Sequence, residues 1–164
     1  MSNQYELFYK PEPRTPEVKE NRHCLNVGAA GVHLTCRELL MLGVNASIAA
    51  EGLSYDITAE WKDNDGGSII ALLQVKTKTQ LASSNSFSFH KGFHGSAAGV
   101  RQYEVNEFDI AVCVCLNANA VVFTHGVPQG SLSWKRGQLT QSDVAADTWN
   151  VAKDEYEKSL ERRH

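Results

Sequence analysis

The chain has 164 residues, 42% of them hydrophobic, which is enough for one domain with its own core and too apolar for wholesale disorder. Sixteen Lys and Arg against nineteen Asp and Glu give a formal charge of −3, which excludes a histone-like polycation and confines any nucleic-acid contact to a local patch. No apolar run approaches the roughly 18–20 residues that cross a bilayer, the first residues lack the apolar centre of a secretory signal, and four cysteines without a CxxC pair read as reduced thiols of a cytoplasmic protein.

Residues 1–15 carry Pro11 and Pro13 among charges and read as an extended arm before a single domain over 16–164. Val32, Cys36, Leu39 and Leu40 then fall at helical spacing, and Gly43 is a natural stop. Pro16 can open a first turn, and 17–26 fits a separate short helix. Gly28, Ala29, Ala30 and Gly31 suit close backbone packing at a cost in helix propensity. Strands are expected over 44–49, 54–61 and 68–77. The last is apolar at Ile69, Ile70, Ala71, Leu72, Leu73 and Val75, as in the middle of a sheet. The Ser-, Asn- and His-rich stretch 78–99 reads as a long loop, with a short helix over 96–103. Two strands follow at 108–116 and 120–124, and 128–137 reads as irregular. Thr140-Gln-Ser-Asp143 resembles a capping box opening a last helix with the stripe Trp149, Ala152, Tyr156 and Leu160. The order predicts an α/β domain whose mixed four- to five-stranded sheet is flanked by helices.

The chemistry concentrates at the second and third strands. A three-residue turn, Asn64-Asp65-Gly66, with Gly66 left-handed, sets Asp56 directly opposite Gln74. Lys76, two residues on, shares that face. A carboxylate, an amide and an amine thus meet at one end of a hairpin. Mg²⁺, with Mn²⁺ as substitute, takes such oxygen ligands. Asp56 is the expected principal ligand, with Gln74 and the Val75 carbonyl beside it. Lys76 is placed to orient or deprotonate a water, or to offset charge on a phosphate. On spacing alone, three solvated strand-end residues are an equally open reading.

The string Tyr55-Asp56-Ile57, a turn, then Gln74-Val75-Lys76-Thr77-Lys78 resembles the core of the PD-(D/E)XK nuclease superfamily. It is most similar to the branch of group I intron homing endonucleases and Holliday-junction-resolvase-like proteins. A helix with small-residue spacing, here Gly28 to Gly31, precedes the motif in such proteins. The resemblance covers about residues 25–80, and more weakly 103–124. It implies a restriction-endonuclease-like fold and Mg²⁺-dependent hydrolysis of DNA phosphodiesters. Asp56 matches the metal-binding aspartate, Gln74 the variable acidic position and Lys76 the lysine. The chain departs at one point: many members carry Glu directly after the second Gly, where Val32 stands here. A catalytically inactive nuclease-fold module that binds nucleic acid or assembles with partners is therefore the alternative.

Independently, no Asp or Glu occurs between Gly66 and Tyr103, whereas Lys76, Lys78, Lys91, Arg101, His90 and His94 do. In a chain of negative net charge this predicts a phosphate-facing surface. Lys78, His90, Lys91, His94 and Arg101 are the expected DNA-backbone contacts. His90 and His94 have a zinc-compatible i, i+4 spacing, but Gly92 and Gly95 oppose a helix there and no third ligand is evident. Cys36, Cys113 and Cys115 read as core residues, and the three tryptophans as packing residues. A small domain sees only part of a duplex, so cutting both strands predicts a homodimer or higher homo-oligomer.

Overall fold

The computed structural model describes residues 16–92 and 99–162, with 16–22 described by their backbone alone. The expected arm over 1–15, His94 and the start of the expected helix over 96–103 lie outside the described residues. The strands are β1 (Asn45–Ile48), β2 (Ile57–Lys62), β3 (Ser68–Lys78), β4 (Ser84–Lys91), β5 (Arg101–Gln102), β6 (Ile110–Cys115), β7 (Ala120–His125) and β8 (Gly130–Lys135). The helices are α1 (Pro16–Met41), α2 (Arg136–Leu139) and α3 (Val144–Glu161).

A five-stranded mixed sheet, in the order β1-β2-β3-β6-β7, forms the middle layer. Only the β3–β6 pair is parallel. Alternation along the strands sends Ala71, Leu73 and Val75 to one face, into a core with Leu39 of α1 and Trp149, Ala152 and Tyr156 of α3. Trp61 meets Trp149 edge-on with centroids 5.4 Å apart and donates from Nε1 to Glu157 at 2.7 Å. Tyr156 donates its hydroxyl to the Ile70 carbonyl at 2.9 Å. The other face, through Ala111, Cys113, Cys115 and Val122, packs on Phe87 and Phe89 of a second sheet, ordered β5-β4-β8.

That second sheet corrects two expectations. The stretch read as a long loop contains β4, in which Asn85, Phe87 and Phe89 are buried and Ser84, Ser86 and Ser88 are exposed. The serines lower β propensity, but the period-two alternation prevails once there is a face to bury. The stretch read as irregular contains β8, where Leu132 and Trp134 alternate with exposed Ser131, Ser133 and Lys135, and then α2. Within the expected helix over 96–103, Arg101 and Gln102 are extended and pair with β4. The two expected N-terminal helices are one continuous helix, α1, in which Gly31 lies against the sheet while Ala29 and Ala30 are exposed. A Cβ on Gly31 would stand 1.9 Å from Thr77 Oγ1, so only glycine allows the approach. The expected capping box is absent. Thr140 closes α2, donating Oγ1 to the Arg136 carbonyl at 3.1 Å, and Asp143 precedes α3 with φ of 63° and no side-chain cap.

Candidate functional site

The hairpin has the expected register. Ile57 pairs with Leu73 and Lys62 with Ser68, and Gly66 is left-handed at φ 82°. Below Ile57 the two strands part. The Asp56 N–H still donates to the Leu73 carbonyl at 2.8 Å, and then the chain turns away towards β1. β3 runs on alone on that side while its other edge stays paired with β6 as far as Lys78 and Cys115. The sheet therefore forks at Asp56 and, among the described residues, leaves the edge from Gln74 to Lys78 without a strand partner.

Asp56 caps this open edge. Its Oδ2 accepts from the Val75 N–H at 2.7 Å and from the Gln74 amide nitrogen, which also reaches the Val75 carbonyl at 3.3 Å. Gln74 is 6% exposed. Lys76 stands on the same face as Gln74. Its Nζ donates to the Tyr103 hydroxyl at 3.3 Å and to the His90 carbonyl at 3.4 Å, and lies 5.3 Å from the Tyr103 ring centroid. Asp56, Gln74, Val75 and Lys76 are thus gathered at one point, in a cleft of about 810 Å³ whose opposite wall is His23, Cys24, Val27 and Gly28 of α1.

Burial dominates the electrostatics. It raises the Asp56 pKa, against the opposing pull of the Val75 N–H, the Lys76 charge and Gln74. It lowers the Lys76 pKa, with Asp56 pulling the other way. Burial together with the Asp56 and Glu107 charges pushes the Tyr103 phenol up to about 12, so its hydroxyl keeps its proton. Cys113 is likewise pushed up to about 12 by burial, as befits an inert core thiol.

The expected phosphate contacts fall into two groups. Lys78 is half-buried, its Nζ 5.6 Å from the Phe87 ring centroid, and it lines the cleft. His90, on β4, supports Lys76 through its carbonyl. Lys91 and Arg101 converge on Glu107. Lys91 reaches Glu107 Oε1 at 2.9 Å and Ser54 at 2.6 Å, and Arg101 is bidentate at 2.7 and 2.6 Å. Arg101 holds the Glu107 carboxyl well below the usual carboxylate range. Tyr103 and Glu107 are the members that sequence reasoning missed. Glu107 lies just past the acid-free window, and pairing it with that window takes a tertiary contact to see.

The donor set fits a hard divalent cation. Asp56 supplies a carboxylate, the Val75 carbonyl a second oxygen, and Gln74 a third once its amide presents Oε1 in place of Nε2. This suits Mg²⁺, which binds through one or two carboxylates plus substrate and water. Among the described residues no group of three or more His, Cys, Asp or Glu gathers for a metal. α1 gives the cleft no carboxylate among its described side chains. Val32 is half-buried against the core, and Glu38 pairs with Arg37 at 3.2 Å.

Neither a family model nor a curated protein sequence matches the chain. Among solved structures it is similar to that of a bacterial homing endonuclease, I-Ssp6803I, at 15% identity and a TM-score of 0.57, over 84% of this chain and 96% of that one. At this identity the likeness shows a shared fold. Among the described residues no helix is long and apolar enough to cross a membrane.

Proposed function

We propose that this chain is a Mg²⁺-dependent DNA endonuclease of the PD-(D/E)XK type. The observation that carries the reading is the fork at Asp56, where a carboxylate, an amide and a lysine of lowered pKa share one cleft. The fold in common with a homing endonuclease supports the same reading. Asp56, Gln74 and the Val75 carbonyl would hold the ion, which when bound supplies Lewis-acid stabilisation of charge on the phosphate. Lys76 acts on the attacking water. Its lowered pKa gives more free amine at neutral pH than an exposed lysine has, so Nζ can take a proton as the water oxygen bonds to phosphorus, while the opposite P–O bond breaks and the leaving sugar oxygen takes a proton from solvent. Tyr103 and the His90 carbonyl fix where that amine stands. Lys78, His90 and His94 would contact the DNA backbone, and Lys91 and Arg101 would do so by exchanging Glu107 for phosphate.

Nicking of supercoiled plasmid tests this. The protein is expected to nick with Mg²⁺ and not with EDTA, and Lys76→Ala to lose roughly 10²–10⁴-fold in rate. Wild-type activity rises with pH as Lys76 loses its proton. Lys76→Arg, which cannot titrate in this range, gives a low and flat profile. Equal cleavage by Lys76→Ala and wild type would overturn the assignment.

The single described carboxylate favours a second reading, a nucleic-acid-binding module without catalysis. Calorimetry with Mn²⁺ separates the two. A binding heat that disappears in Asp56→Asn supports the enzyme, whereas no heat together with salt-sensitive DNA affinity supports the module.

A further inference from the structure

The outer face of the second sheet is made of hydroxyls. On β4 the outward positions are Ser84, Ser86 and Ser88, and β8 sets Lys135, Ser133 and Ser131 directly opposite them. All six are exposed. No Asp or Glu occurs in β4, β5 or β8. Serine is not among the residues that favour strands, and a solvent face is ordinarily a mixture of both charges, so neither stability nor solubility explains the choice. Protein–protein contacts are poor in serine and rich in aromatic side chains, so a protein partner does not explain it either. Duplex DNA does explain it. A hydroxyl both donates and accepts, so serine suits the edge of any base, and its small size lets the strand backbone come near. The Ser88 and Ser131 hydroxyls, 3.2 Å apart, use one proton between them and keep the other free.

Dimensions and position agree with this. β5 has two residues and flanks only the end of β4 at His90 and Lys91, so β4 and β8 form a two-stranded ribbon along the serines. Such a ribbon enters the major groove, about 8.5 Å deep. Stacked sheets lie about 10 Å apart, so the serines reach the base edges before the five-stranded sheet behind them meets the phosphates. The His90 end of β4 adjoins the candidate site, where the His90 carbonyl holds Lys76. The other end carries Lys135 and Arg136, and the Arg136 N–H donates to the Ser83 carbonyl at 3.2 Å. Cations at both ends suit phosphates, which fix position, and the neutral hydroxyls between them suit bases, which carry sequence. We propose that the β4–β8 ribbon lies in the DNA major groove beside the cut and reads base edges through Ser84, Ser86, Ser88, Ser131 and Ser133. At about 3.3 Å per residue against about 3.4 Å per base pair, Ser84 to Ser88 covers roughly four base pairs. The inference rests on DNA being the partner in the nuclease reading, and not on cleavage.

Selection from random-sequence duplexes with the Asp56→Asn protein, which separates binding from cutting, is expected to yield a consensus. Fluorescence anisotropy then compares the selected duplex with a scrambled one. Ser86→Ala, Ser88→Ala, Ser131→Ala and Ser133→Ala together should lower the preference for the selected duplex about 10–100-fold. Binding to the scrambled duplex, the salt slope and Tm should stay as in the parent, because all four side chains are exposed. Lys135→Ala with Arg136→Ala should instead weaken both duplexes alike and reduce the slope by about 1–2. Methylation of guanine N7, in the major groove, should interfere within one contiguous block of the consensus, and methylation of adenine N3, in the minor groove, should not. Binding without any consensus, an unchanged preference in the serine variant, or interference from the minor groove alone would each overturn the proposal. A protein that binds no duplex fails both readings. One that nicks plasmid but keeps its preference without the serines fails this reading alone, and one that reads sequence through the serines without nicking fails only the nuclease reading.

Discussion

Asp56 sits where it costs the fold something. Its carboxylate is largely removed from water, and burial outweighs the hydrogen bonds and the Lys76 charge that favour ionisation. A carboxyl whose folded pKa lies above its unfolded value is most favourable to stability when protonated. Stability from this group therefore grows as pH falls through the folded value, and is smallest at neutral pH. Asp56→Asn removes the buried charge and leaves a side-chain oxygen for the Val75 N–H. It is expected to raise Tm at pH 7 by about 2–4 °C, as roughly 1 kcal/mol does in a domain of this size, while abolishing nicking. The advantage should shrink towards pH 4. Calorimetry of both proteins across that range checks the sign, and an Asn protein less stable at pH 7 than at pH 4, relative to wild type, refutes it. A site that lowers stability and raises activity is what a functional assignment leads one to expect.

At the scale of elements, the contact that sets the cleft's width is α1 on β3. Gly31→Ala puts a Cβ within 3 Å of three atoms of Thr77, so α1 must move away or Thr77 must turn. A loss of about 1–3 kcal/mol is expected in chemical denaturation. Thr77→Ala takes away the two closest of those atoms and should restore part of it. Thr77 Oγ1 is buried with no hydrogen-bond partner among the described residues, so Thr77→Ala alone should cost under about 1 kcal/mol. Additive losses in the double variant would show that the two residues do not meet. The Asp56–Gln74 juxtaposition was legible in the sequence because the Asn64-Asp65-Gly66 turn fixes one register, and a period of two carries it to the fork. The second sheet was not. The Phe87 and Phe89 alternation is two residues long and set among serines, and what it packs on, Ala111 and Cys113, is more than twenty residues away in the chain. The support of Lys76 by Tyr103 was hidden for the same reason. It depends on β5 pairing with β4, which no local signal announces.

At the scale of the whole molecule, the cations of the acid-free window are partly engaged within the fold. The window from Gly66 to Tyr103 holds four Lys and Arg and no acid, yet two of them, Lys91 and Arg101, converge on Glu107. Glu107 also accepts the Glu104 N–H at 2.9 Å and the Ser54 hydroxyl at 2.8 Å. It therefore ties the tip of the second sheet to the loop that leads into Asp56. Its carboxylate offers two oxygens to an arginine and one of them to a lysine, contacts that a phosphate can also make. Glu107→Gln keeps the shape and removes the charge. Two consequences follow, of opposite sign. The fold loses a contribution that in the wild type is present above the ordinary Glu pKa and lost as pH falls through the depressed one, so Tm at pH 7 should drop. DNA binding should strengthen, because Lys91 and Arg101 are released to phosphate. In an Asp56→Asn background that cannot cut, fluorescence anisotropy against salt is expected to show tighter binding and a slope steeper by about 1–2 in log K against log salt. An unchanged slope would mean that these two cations lie off the DNA path, and that the phosphate-facing surface is carried by Lys76 and Lys78 at the cleft itself.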